Sequence, residues 1–169
     1  LASITGDLAI DPFEISKTFD PTDRAHIELV SSMAETHAAQ EGIKSAQAYY
    51  RIATKQAVPI SIHAETWLKE LTREGLKQHT INDYKSTMKA FELWSDDTPV
   101  QDVDRTIAGL YVTHLKSSPS PKTGKPLAPK TLKKKLTALT GFWGWLDLNN
   151  FIKADAADVW NRQYKSVAK

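Results

Sequence analysis

Cysteine is absent from the 169-residue chain, which rules out a disulfide framework and a thiolate metal site and suits a reducing compartment. No apolar run approaches the roughly 20 residues that span a bilayer, and no signal-peptide pattern occurs, so a soluble chain is expected. Period-two runs of useful length are missing, as is any internal repeat of fixed period, which points to an all-α chain. There is no glycine-rich phosphate loop and no histidine pair at helical ligand spacing with a carboxylate, so no metal and no cofactor are expected.

What is present is an ordinary globular composition, 41% hydrophobic and 25% charged, enough for one or two small domains. The net charge of +2 conceals an uneven distribution. Residues 1–58 hold 5 basic against 8 acidic side chains, a balance of −3, whereas residues 59–169 hold 17 against 12, a balance of +5. A basic partner site is therefore expected in the second part, and Pro59 is the expected boundary between the two. Leu1 in place of an initiator methionine is expected of an excised or processed piece.

The stretch from Leu127 to Leu148 carries the clearest pattern. Leu132, Leu136, Leu139, Trp143 and Leu146 recur at helical steps and predict a core-facing stripe, with Phe142 beside it. The opposite face carries Lys130, Lys133, Lys134 and Thr137, then the small residues Ala138, Gly141 and Gly144, as though an anion were to come close. Pro129 marks the start and Thr131 is the expected N-cap. Lysines near a helix N-terminus oppose the macrodipole, so helix stability does not explain them and a ligand phosphate would. Lys135, on the flank of the stripe beside Phe142, is left out of this face.

Upstream, residues 1–20 show no sustained period and, with Gly6, Pro12 and four acidic residues, are expected to be a loose lead-in. A helical hairpin should follow. Its first helix is capped by Asp23 and striped by Ile27, Val30, Met33, Ala34 and His37; its second, from about residue 40 to 57, is striped by Ile43, Ala46, Tyr50 and Ala53. After Pro59, Ser61 can cap a helix bearing Ile60, Ala64, Trp67, Leu68 and Leu71, which Gly75 ends. Thr80 can cap the next, with Ile81, Tyr84, Met88, Phe91 and Trp94 inward and Asn82, Lys85, Ser86 and Lys89 outward as a second basic face. Val100, Val103, Ile107, Leu110, Tyr111 and Leu115 suit a third helix capped by Asp102 or Asp104. Residues 117–129 are a basic loop with Lys122 and Lys125, and a short last helix is expected over residues 154–164. Trp145 and Trp160 are open to either core or interface use.

Leu127-Ala-Pro-Lys-Thr-Leu followed by Leu136-Thr-Ala-Leu-Thr-Gly-Phe-Trp-Gly-Trp-Leu resembles the last long helix of a tyrosine recombinase (phage integrase) core-binding domain. Ile62-His-Ala-Glu-Thr-Trp-Leu, Thr80-Ile-Asn-Asp-Tyr-Lys and Val103-Asp-Arg-Thr-Ile-Ala-Gly-Leu-Tyr-Val-Thr-His-Leu resemble its earlier helices, in the same order. The resemblance implies a small orthogonal SAM-like bundle of four to five helices over residues 59–169, preceded by the helical extension of residues 1–58. It also implies a bacterial or phage-encoded, cytoplasmic, nucleoid-associated protein. Its partners would be double-stranded DNA, other recombinase protomers and its own C-terminal catalytic domain.

Strand exchange in that family needs a tyrosine nucleophile, arginines, a lysine and a His-x-x-Arg element in that separate domain. No histidine here has arginine three residues later, so this stretch is expected to position DNA rather than cut it, and none of its tyrosines is expected to be a nucleophile. The expected DNA contacts are Lys77, His79, Thr80, Lys85, Lys89, Lys122, Lys125, Lys130, Thr131, Lys133, Lys134 and Thr137. The competing expectation is a helical protein–protein interaction module with solvated basic faces.

Overall fold

The computed structural model describes residues 10–167. Among the described residues eight α-helices form: α1 (Pro12–Thr18), α2 (Arg24–Glu41), α3 (Ile43–Ala53), α4 (Ile60–Arg73), α5 (Gln78–Ser95), α6 (Arg105–Ser117), α7 (Pro129–Leu148) and α8 (Asn161–Val167). Short 3-10 turns form over Val100–Asp102 and Ala154–Ala156. Among the described residues no strand forms, only the isolated bridges Pro59–Pro99 and Pro119–Pro126, so the fold is all-α. The chain divides into two compact units, Leu1–Val58 and Pro59–Lys169.

In the first unit α2 and α3 pack together and α1 packs on α3. Part of the expected lead-in is thus a helix, while residues 1–9 lie outside the described residues. Local chemistry accounts for α1: Asp11 accepts a hydrogen bond from the Phe13 N–H at 2.9 Å, Pro12 supplies the helical φ of the first turn, and Lys17 pairs with Glu14. Seven residues are too few for a hydrophobic period to register. Asp23 caps α2 as expected, accepting from the Ala25 N–H at 2.9 Å. Gly42, at φ +91°, separates α2 from α3, so the second helix starts later than its spacing suggested. Phe19, Val30, Tyr49 and Ala53 form this unit's core. Ile43, expected inward, is 71% exposed because it opens α3, and Ile27 is also exposed.

The second unit surrounds α7. Leu132, Leu136, Leu139, Trp143 and Leu146 are all buried, joined by Phe142 and Ala138. Ala138 therefore belongs to the core and not to the expected anion-facing side. Gly141 stays exposed as expected, although a Cβ placed there would lie 3.6 Å from the Trp67 ring. Trp67 stacks on Tyr84 at 5.4 Å and meets Phe142 at 5.3 Å, and Phe142 stacks on Trp145 at 6.1 Å. This aromatic ladder ties α4, α5 and α7 together. Phe91, Tyr111, Trp143 and Trp160 form a second aromatic group with ring centroids between 4.7 and 6.2 Å apart. Trp160 is therefore a core residue. Trp145 is partly buried and donates its indole N–H to Glu70 at 2.6 Å, which satisfies it within the unit.

Three expected caps are replaced. Ser61 does not cap α4; its N–H and hydroxyl both donate to Asp97, carried there by a turn in which Asp96 and Asp97 have φ of +55° and +50°. A distant carboxylate thus serves the helix start. Thr80 and Thr131 lie inside their helices, which begin after Lys77 and Ala128 with no side-chain cap. Asp104 does cap α6, accepting from the Ile107 N–H at 2.9 Å. On α6 Leu110 is 57% exposed, and Ala108 and Val112 take the inward places. The last helix runs later than expected, over Asn161–Val167, because Ala154–Ala156 forms a 3-10 turn first.

Candidate nucleic-acid interface

α5 and α7 pack against each other along the Tyr84 side of α5 and leave an open cleft of about 770 Å³. From α5 it is lined by His79, Thr80, Asp83, Tyr84, Ser86 and Thr87; from α7 by Lys130, Thr131, Lys133, Lys134, Lys135 and Thr137; and Lys122 reaches it from the preceding turn. That turn is built locally. The Ser120 N–H donates to the Lys125 carbonyl at 2.7 Å, the Gly124 N–H returns to the Ser120 carbonyl at 2.8 Å, and Gly124 takes φ +65°. The basic loop is thereby held beside the start of α7.

Five lysines face one carboxylate, Asp83, in this cleft. Ion pairs in the second unit include Lys69 with Glu65, Lys89 with Glu92 and Arg105 with Asp158, and none of the five cleft lysines is paired among the described residues. Unneutralised like charges crowded into a concave surface raise the local potential and favour a polyanion. Two features add to this. The N-terminal turns of α5 and α7 both contribute to the lining, and helix N-termini direct their partial positive charge and free N–H groups outward. Thr131 offers a hydroxyl beside the ammonium groups, as phosphate oxygens require, whereas the Thr137 hydroxyl donates to the Lys133 carbonyl at 2.9 Å.

The structure brings together His79, Thr80, Lys122, Lys130, Thr131, Lys133, Lys134 and Thr137 from the expected set. Lys77 and Lys125 are exposed but lie outside the lining. Lys85 and Lys89 belong elsewhere: they line a separate groove of about 740 Å³ between α4 and α5, with Lys69, Arg73, Glu65 and Glu92. Lysines 85 and 89 fall on the side of α5 turned away from the cleft, so the single second face expected from the sequence is two surfaces. Lys135, which the wheel excluded, lines the cleft, because a four-carbon stem can lie along the apolar flank and deliver its charge beyond it. Ser86, expected on the outward face with Lys85 and Lys89, lines this cleft instead, and Asp83 and Thr87 join it from outside the expected set; only the three-dimensional approach of α5 to α7 distinguishes them from other polar helix residues.

An all-α bundle with an unpaired lysine cleft between two helices suits a polyanionic ligand. Among known families, residues 64–150, just over half of the chain, match the phage integrase N-terminal SAM-like domain. The chain belongs to that family, the core-binding domain of tyrosine recombinases, and its role in general is recombinase-associated DNA binding. The match covers the SAM-like domain and not the catalytic domain. Neither the curated proteins nor the solved structures include a match. Among the described residues no helix is long and apolar enough to cross a membrane, and no group of three or more histidine and carboxylate side chains could hold a metal ion.

Proposed function

We propose that residues 59–169 are the core-binding half of a recombinase clamp, in which the cleft between α5 and α7 seats the phosphate backbone of recombination-site duplex DNA. A C-terminal tyrosine catalytic domain of the full-length protein would close on the other side of the duplex and carry out strand exchange, with further protomers on the same DNA. The observation that carries this reading is the convergence of Lys122, Lys130, Lys133, Lys134 and Lys135 on one concave surface without a carboxylate partner. A solvated lysine run would spread its charge, and a structural one would pair it. The two helix N-terminal turns at the same cleft support phosphate as the ligand.

The test is a titration of the chain with duplex DNA over a range of salt. Binding through this cleft gives a steep linear fall of log K with log salt, about 0.9 in slope for each phosphate contacted. Lys133→Glu with Lys134→Glu should abolish measurable binding at moderate salt while the far-ultraviolet circular dichroism is unchanged. Lys135→Glu should weaken binding in the same way. Unchanged affinity and slope in these variants would return the lysines to a solvated face and leave the protein-interaction module as the better reading.

A further inference from the structure

One side chain in the cleft has the wrong sign for a phosphate. Asp83 is exposed on α5 and lines the same cleft as the five lysines, yet it takes part in no ion pair or hydrogen bond among the described residues. A carboxylate placed to hold the lysines in position would sit within 4 Å of one. Its neighbours on the helix are informative. His79, Asp83 and Ser86, at steps of four and three, form one exposed row of α5 in which no lysine or arginine occurs. Charge in the cleft is therefore segregated: the ammonium groups come from α7 and the turn before it, and the α5 side presents His79, hydroxyl groups and one acid.

That division matches the two surfaces of a duplex. A backbone held against α7 turns a groove toward α5, and the major groove is wide enough to admit an α-helix. At a base edge the preference for charge inverts. Guanine and thymine display the acceptors O6, N7 and O4 there, which a carboxylate repels; cytosine displays an N4 amino donor, which a carboxylate accepts from. Adenine offers an amino group too, but its adjacent N7 acceptor opposes the second carboxylate oxygen. Resting on the function proposed above, we infer that Asp83 is a specificity-determining residue that selects cytosine in the recombination site through its N4 amino group. The same carboxylate repels phosphates, so it weakens binding to arbitrary DNA.

The experiment is a binding-site selection from a randomised duplex library with the full chain, in parallel with Asp83→Asn and Asp83→Ala, and a salt titration of each on a random-sequence duplex. Asp83 is exposed, and unchanged circular dichroism would verify that both variants fold. The wild-type protein should enrich a column dominated by cytosine. Asp83→Ala should lose that preference by about tenfold, and Asp83→Asn should shift the column toward adenine, whose N6 and N7 suit an amide. Both variants should bind the random duplex more tightly with an unchanged salt slope, since no phosphate contact is removed. If the wild-type protein binds with a steep slope but its columns are the same in both variants, or contain no cytosine column, the base-reading role is overturned while the clamp stands. If the wild-type protein binds no duplex, both fall.

Discussion

His63 on α4 is enclosed by Phe151, with ring centroids 4.3 Å apart, and by Trp145 at 6.1 Å, and its Nε2 finds no hydrogen-bond partner. Burial pushes its pKa down from 6.5 to about 4. In the unfolded chain the ring takes up a proton as the pH falls below about 6.5, whereas the folded protein keeps it neutral until about 4. The unfolded state thus binds more protons in that window, and stability must decline as the pH is lowered through it, by at most about 3 kcal/mol. His63→Phe keeps a ring against Phe151 and removes the titration. Its melting temperature should vary less than that of the wild-type protein between pH 6.5 and 4, as thermal melts at matched ionic strength would show. Parallel curves for the two proteins would mean that the ring has access to water.

At the scale of elements, α7 does two jobs that pull in opposite directions. Its core stripe is buried throughout, whereas its first two turns carry lysines that the helix dipole disfavours. The helix forms because the stripe outweighs that cost. Leu139 is fully buried among the aromatic and aliphatic side chains of this core, so Leu139→Ala should destabilise the protein by about 2–5 kcal/mol, read from thermal or denaturant unfolding. A shift within error would show that the stripe is not the core. The same element shows how far the sequence could be read. The stripe was legible because period and side-chain type agree over 20 residues. The far side was legible only in part: Lys130, Lys133, Lys134 and Thr137 line the cleft and Gly141 is exposed, but Ala138 is buried in the core. A wheel gives angles around one helix and not the position of α4.

For the whole molecule, the two units have separate cores and opposite charge, −3 over residues 1–58 and +5 over residues 59–169. A phosphate backbone attracts the second and repels the first. Residues 1–58 are accordingly proposed to modulate binding or to contact another protomer rather than to contact DNA themselves. Compared on one duplex at two salt concentrations, residues 59–169 should bind as well as the full chain or better, with an equal or steeper salt slope. Loss of most of the affinity together with several units of slope, in a truncated form that remains folded, would make the first unit a DNA-binding arm.

Helical class, the charge asymmetry about Pro59, the core stripe of α7 and the family resemblance were all in the sequence, because each depends on residue type and short-range spacing. Tertiary structure alone decided what depends on a second element. Asp97 reaches the start of α4 in place of a cap by Ser61, Trp145 finds Glu70, and Lys85 and Lys89 part from the lysines of α7. The inclusion of Lys135 and Asp83 in one cleft belongs to the same group. The physical reason is common to them all: a helical period specifies which way a side chain points from its own axis, and only the packing of α4, α5 and α7 specifies what it meets there.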